Sequence, residues 1–189
     1  VVIPNFNGIA FLDSVLASLE GQTLNNFEVI LVDNGSTDGS CSFVTANYPW
    51  VHLIELSENF GFCGAVNAGI RAAKAPYVLL LNNDTEVKED FVEEMLAAIR
   101  RHKNAFSCGA RMVQYHDRDK LDDVGNYYCA LGWSFARGRG KDIHAYETED
   151  RIFSACAGAA IYRKKILEKI GYFDEEHFAY LEDTDIGYR

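Results

Sequence analysis

Basic residues are scarce in this sequence relative to acids. Eighteen lysines and arginines face 28 aspartates and glutamates, for a formal net charge of −10. Such a surface lacks the cationic footprint that a phosphate backbone requires, which argues against nonspecific nucleic-acid binding. It also argues against an anionic membrane surface as the partner of these residues. No apolar run approaches the roughly 20 residues that span a bilayer, and no signal peptide is visible. Cys41, Cys63, Cys108, Cys129 and Cys156 are odd in number, widely spaced and without a CxxC pair. That pattern excludes a disulfide framework or a structural zinc site and reads as reduced thiols in a cytosolic protein. His52, His102, His116, His144 and His177 show no metal-ligand spacing; only His177 lies near an acidic cluster. There is no internal repeat, no low-complexity tract and no GxGxxG dinucleotide fingerprint.

What is present is 189 residues, 48% of them hydrophobic, enough for one domain with a substantial core. The stretch around which the chain is organised is Tyr77-Val78-Leu79-Leu80-Leu81-Asn82-Asn83-Asp84-Thr85. An apolar run that ends abruptly in polar turn residues reads as a strand buried on both faces. Before it come Val1–Pro4, Phe27–Val32 and Val51–Glu55 as strands, alternating with helical patterns over Phe11–Glu20, to about Ala46, and over Ala65–Ala75. Phe91, Met95, Leu96 and Ile99 space out a further amphipathic helix. This alternation predicts an α/β fold with a mostly parallel central sheet and helices on both faces. Ala105–Tyr115 is expected to be a bent strand, Asp117–Asp150 a mobile excursion or small subdomain, Ile152–Tyr162 a strand and Lys164–Ile170 a short helix. The chain opens in mid-strand and stops within a helical pattern. It reads as a single domain over 1–189, truncated at its C-terminus, with 113–150 as a variable excursion.

In open α/β sheets, ligands bind at the carboxyl ends of strands. Asp33 and Asp84 each follow a buried strand there. Asn82, Asn83 and Asp84 are chemically able to hold a hard cation, and the cation to hold phosphates. Asp33 suits the N–H of a base, and loop amides suit phosphate. Helix-capping turns fit the same residue types equally well. Gly61, Gly64 and Gly69 around Asn67 point to close backbone approach, either to a ligand or between helix and sheet. Glu182, Asp183 and Asp185 crowd carboxylates beside Phe178 and Tyr180, which raises a pKa toward the range of a general base. A solvated helix N-terminus is the alternative. Cys156-Ala157-Gly158-Ala159-Ala160 suits either a pocket floor or a tightly packed strand.

In order, Val2-Ile3-Pro4-Asn5-Phe6-Asn7-Gly8, Val32–Ser40, Asn59-Phe60-Gly61-Phe62, Leu80–Thr85 and Tyr180–Arg189 resemble the motifs of family 2 glycosyltransferases with a GT-A fold. The similarity is greatest to bacterial enzymes that build surface polysaccharides, including rhamnosyltransferase-like members. It covers most of the chain outside residues 113–150. The resemblance implies a GT-A nucleotide-binding domain and inverting transfer from a nucleotide-diphosphate sugar to a hydroxyl of a saccharide or lipid-linked acceptor. It implies Asp183 as catalytic base with Glu182 beside it. It implies Pro4, Asn7, Asp33, Asn34, Asn59, Gly61, Asn67 and Asn83 around the donor nucleotide, and Asp84 as ligand to Mg²⁺ or Mn²⁺. Gly158, Ala159 and Tyr180 would shape the acceptor and sugar pocket, with Tyr180 or Trp133 stacking on a sugar face. One departure stands out: Asn82 replaces the first Asp of the family's DxD motif, which leaves one strong anionic ligand.

The expected location is the cytoplasm, including the inner face of the cell membrane, with membrane association only through regions outside this chain. Two other readings use the same sheet. A sugar nucleotidyltransferase usually wants a basic, Gly-rich loop after the first strand, and Asn5-Phe6-Asn7-Gly8 has no Lys or Arg. A nucleotide-binding regulatory domain would use Asp33 and Asp84 without any catalytic duty for Glu182 and Asp183.

Overall fold

The computed structural model describes residues 1–189. Its elements run β1 (Val2–Asn5), α1 (Ile9–Glu20), β2 (Ile30–Asp33), α2 (Ser40–Asn47), β3 (His52–Glu55), α3 (Gly61–Ala72), β4 (Tyr77–Leu81) and α4 (Phe91–Arg101). Short strands β5 (Ser107–Gly109), β6 (Met112–Val113), β7 (Leu121–Asp123), β8 (Asn126–Tyr128) and β9 (Ser134–Ala136) follow. The chain finishes with β10 (Ala159–Arg163), α5 (Lys164–Ile170), a 3₁₀ turn at Glu175–His177 and α6 (Glu182–Tyr188).

Six strands form one sheet in the order β3-β2-β1-β4-β10-β5. β1 pairs in parallel with β2 and β4, and β2 with β3. β10 runs antiparallel between β4 and β5. Side chains alternate between the two faces of this sheet, which places a core on each side. Val2, Ile30, Val32, Val78 and Leu80 face one core, which holds α3, Leu167 of α5 and Ile186 of α6. Ile3, Leu31, Leu79 and Leu81 face the other, which holds α1, Val44 of α2 and α4. Gly69 explains how α3 lies so close: a Cβ there would stand 2.4 Å from Val2 Cγ1. No helix is long and apolar enough to cross a membrane.

The structure corrects several boundaries. β2 opens at Ile30, not Phe27, and α3 opens at Gly61, not Ala65. Phe11, counted with the apolar stripe of α1, is 51% exposed; the buried face is Leu12, Val15, Leu16 and Leu19. Only 159–163 of the apolar run at 152–162 joins the main sheet. Residues 153–154 pair instead with Asn126, whose N–H donates to Ser154 O at 2.9 Å and whose carbonyl accepts from Phe153 N at 3.1 Å. Within residues 112–136 lie two small antiparallel pairs, β6–β7 and β8–β9. All five cysteines are free thiols.

Candidate functional site

Three adjacent strands, β2, β1 and β4, end on the same side, and side chains join the last residues of β1 and β2 to Asn83 just past β4. Asn83 Nδ2 donates to Asn5 Oδ1 at 2.7 Å. Asn5 Nδ2 donates to Asp33 Oδ1 at 2.8 Å and to Ser36 Oγ at 3.3 Å. The second Asp33 oxygen accepts from Ser36 N at 2.8 Å. Asn7 N donates to Ser36 Oγ, and Asn7 Oδ1 accepts from Thr37 N, both within 2.9 Å. The β1 and β2 loops thus brace one another. Asn5, central to this network, was legible only as part of a turn; a polar residue closing a buried strand is the signal that finds it.

The neighbouring loop is stapled by Asn34. Its Nδ2 donates to Asn59 Oδ1 at 2.8 Å and Gly61 O at 2.9 Å, while its Oδ1 accepts from Phe60 N at 2.9 Å. Gly61 has φ +74°, and a Cβ there would lie 2.5 Å from Phe178 O. The close approach at Gly61 is therefore to the 178 loop, whose carbonyl accepts from Phe62 N at 2.6 Å.

Pro4, Asn5, Phe6, Asn34, Asn59, Gly61, Phe62, Asn82, Asn83, Asp84 and Phe178 enclose a cleft of about 290 Å³. Of the donor residues implied by the motifs, it gathers Pro4, Asn34, Asn59, Gly61, Asn83 and Asp84. Asn7 and Asp33 stand behind it in the bracing network. Asn67 does not reach it: 1% exposed, its amide donates to Phe173 O at 2.8 Å and Glu175 Oε1 at 2.9 Å, and its oxygen accepts from Phe173 N. Asn67 anchors the 173–175 turn on α3. A broader groove of about 2480 Å³ runs between α4 and the 105–118 and 143–154 segments. It shares only Asn82 and Asp84 with the smaller cleft. The smaller cleft has the convergent polar groups at strand ends that ligand sites in such sheets use.

Asp84 is exposed and is the only carboxylate lining the small cleft. No side chain or backbone N–H of the chain donates to it. A free carboxylate beside amide oxygens is a fitting oxygen donor for a hard divalent cation. Asn82 is held by backbone, its N–H donating to Gly158 O at 2.9 Å. A Cβ on Gly158 would come 3.2 Å from Asn82 Nδ2. Gly158 thus supports Asn82 and is buried, and Ala159 is buried in the core on the α4 side. Both residues are small and buried, and Ala159 also lines part of the broader groove beside α4.

The acidic cluster lies at the start of α6. Phe178, Tyr180 and Leu181 leading into it all have positive φ, at 50°, 71° and 65°. Bulky residues in that region store backbone strain. Tyr180 is 86% exposed at the rim. Glu182 is 9% exposed and its Oε2 finds no hydrogen-bond partner. Burial, assisted by the Asp183 charge, raises its carboxyl above the ordinary carboxylate value. Asp183 is half-buried; Oδ2 accepts from Asn126 Nδ2 at 2.9 Å and Oδ1 from the Thr184 hydroxyl at 3.3 Å. Buried Asp123 is pushed up to about 6 by desolvation, and the Asp183 charge acts in the same direction. Asp174, His177 and Asp185 gather their ligand atoms within 4.8 Å. Asp174 already accepts from Glu176 N, and Asp185 pairs with Arg189 at 2.6 Å.

The β8–β9 hairpin borders this cluster. Ser134 Oγ lies 2.8 Å from Thr184 Oγ1, and the Tyr128 ring is 6.2 Å from that of Tyr188. Leu131, Trp133 and Phe135 on the hairpin are exposed.

The chain is 26% identical over 211 residues to a Mycobacterium tuberculosis N-acetylglucosaminyl-diphospho-decaprenol L-rhamnosyltransferase, covering 100% of this chain and 69% of that protein. Its fold matches S. aureus TarS 1-349 in complex with UDP-GlcNAc at a TM-score of 0.72 and 22% identity, over 98% of this chain and 51% of that one. It also matches the mannosyltransferase PcManGT from Pyrobaculum calidifontis in complex with GDP-Man and Mn²⁺ at a TM-score of 0.70 and 17% identity, over 97% and 48%. The chain therefore spans about half the length of these solved structures. The family model described as glycosyl transferase family 2 matches residues 1–171, and the chain belongs to that family.

Proposed function

We propose that this domain transfers a sugar, with inversion, from a nucleotide-diphosphate sugar to a hydroxyl of a saccharide or lipid-linked acceptor. The observation that carries the reading is the position of Phe178. It lines the strand-end cleft with Asp84, and its chain leads in five residues to Asp183. Five residues therefore separate a residue that lines the donor cleft from the candidate base.

The nucleotide lies against Pro4, Asn34, Asn59 and Asn83, with Asp33 and Asn7 fixing the loops beneath it. Asp84 and the donor diphosphate together would hold Mg²⁺ or Mn²⁺. Such an ion, when bound, offsets charge that develops on the departing diphosphate. With Asn82 in place of a second acid, the site would rely on donor phosphate oxygens for the remaining anionic ligands. Magnesium commonly binds through one or two carboxylates plus phosphates.

Asp183 accepts the proton of the acceptor hydroxyl. The acceptor oxygen bonds to the anomeric carbon as the bond from that carbon to the diphosphate oxygen breaks, its electron pair leaving with the diphosphate. Glu182, shifted toward its protonated form, limits like-charge repulsion on its neighbour. Exposed Tyr180 and Trp133 offer aromatic faces for the acceptor. The mycobacterial relative's name, with its lipid diphosphate, supports a lipid-linked acceptor; the TarS and PcManGT complexes support a nucleotide-sugar donor and a cation. The five free thiols support a cytoplasmic setting.

The test is calorimetric titration of UDP, dTDP and GDP, each with and without Mn²⁺, on wild type and Asp84→Ala, followed by transfer assays of Asp183→Asn. One diphosphate should bind in a metal-dependent way that Asp84→Ala weakens, and Asp183→Asn should bind it normally while losing transfer. Binding that ignores both metal and Asp84→Ala would remove the cation from the site. Full transfer by Asp183→Asn would remove the base.

A further inference from the structure

We infer that Asn126, on the β8–β9 hairpin, is a positioning residue for the catalytic carboxylate; the inference rests on the reading of Asp183 as the base. Its amide nitrogen is shared between Asp183 Oδ2 at 2.9 Å and Ser154 Oγ at 3.1 Å. Asn126 is 7% exposed. Its backbone is held from two sides, by register with Ala136 in the hairpin and by both bonds to residues 153 and 154. The side chain therefore leaves a fixed frame, and the carboxylate it touches belongs to a short helix whose lead-in is strained. One residue later the same hairpin meets the same helix again, through Ser134 and Thr184.

The chemistry suits a base. An amide N–H on Oδ2 sets the plane of the carboxylate without placing a positive charge against it. A guanidinium in that position would hold the carboxylate as a strong ion pair and lower its basicity. Oδ1 keeps only the long 3.3 Å contact from Thr184 and is the oxygen left to take the acceptor proton. The hairpin that exposes Leu131, Trp133 and Phe135 to solvent thus also aims the base.

The experiment compares Asn126→Ala, Asn126→Leu and Ser154→Ala on the whole protein, with Asp183→Asn alongside. Leucine keeps the fork of asparagine at Cγ, is bulkier, and cannot donate. Melting temperature and nucleotide-diphosphate affinity report folding and the donor cleft separately. Both Asn126 variants should lose kcat by about 100-fold, the scale of a small misplacement of a reacting group. Donor KM and diphosphate affinity should stay near wild type. Ser154→Ala, which keeps the bond to Asp183, should stay near the wild-type kcat. If Asp183→Asn is inactive and the Asn126 variants turn over normally, this inference falls and the base remains. If Ser154→Ala loses as much as Asn126→Ala, the effect belongs to packing of the seam and the inference also falls. If Asp183→Asn keeps its activity, the base assignment itself falls and takes the inference with it.

Discussion

Asn83 donates to Asn5, and Asn5 donates to Asp33, so side chains from the loop after β4 and from the ends of β1 and β2 form one hydrogen-bonded row. On the proposed reading, a donor nucleotide would meet a surface whose polar groups already constrain one another. Preorganisation of this kind reduces the ordering cost of binding.

Gly8 makes that row possible. A Cβ there would stand 2.2 Å from Asn83 Nδ2 and 2.5 Å from Asn5 Oδ1. Its φ of −109° suits any residue, so the constraint is purely one of space. Gly8→Ala should cost about 1–3 kcal/mol of stability, as overpacking does, and weaken diphosphate binding. Gly21→Ala is the comparison: its nearest neighbour would be Ala17 O at 3.7 Å, and its φ is negative. That variant should be neutral or more stable by about 0.4–1 kcal/mol. Thermal melts and calorimetric titration of both decide the matter.

Asp84 is exposed and has no internal partner, so Asp84→Ala should change folding stability by no more than about 0.5 kcal/mol. Asn82→Asp should act in the opposite sense on the cation, adding a second carboxylate to the cleft. Mn²⁺-dependent diphosphate affinity should rise in Asn82→Asp and fall in Asp84→Ala, measured by titration with and without the ion.

Asn34 is fully engaged, donating to Asn59 and Gly61 and accepting from Phe60. Asn34→Ala would leave the part-buried Phe60 N–H and the buried Gly61 carbonyl without their partner. A loss of about 1–3 kcal/mol is expected, with diphosphate affinity falling because the loop that walls the cleft is released. Denaturant unfolding and titration on the same samples separate the two effects.

Asp123 carries a pH signature. Its carboxyl titrates at about 6 in the folded chain, against an ordinary 3.8. The folded state binds more protons between those values, so stability is full below about pH 4 and falls as pH rises through about 6. At neutral pH the cost is on the order of 2–3 kcal/mol. Asp123→Asn should raise the melting temperature at neutral pH, and the gain should vanish near pH 4. A gain independent of pH would show that the cost is not ionisation.

Much of this was legible in the residues. The runs Tyr77–Leu81 and Ile30–Val32 have no polar face, which is the mark of strands covered on both sides, and the Asx-rich turns after them locate the cleft. The direction of β10 was not legible. Ala159–Arg163 is small and apolar, a pattern shared by parallel and antiparallel strands alike. Asn67 misled because a polar residue among small ones suits either a ligand or a turn anchor, and its partner at Phe173 lies 106 positions away. Asn126 was missed for the same reason: its link to Asp183 crosses 57 positions and leaves no local signal. Gly158 and Ala159 are small because Asn82 approaches the one and the core packs on the other, needs that leave the same pattern in sequence as a pocket floor.

The pairing of β10 with β4 has a consequence for biosynthesis. β1 to β4 and their helices are contiguous in sequence, but the free edge of β4 is covered only when residues 159–163 arrive. The strands of the donor half therefore leave the ribosome well before those that complete the sheet. During that interval Tyr77–Leu81 presents an unpaired, apolar edge, the kind of surface that recruits other strands. Slow synthesis across residues 82–158 would lengthen the exposure, and chaperone demand should concentrate there.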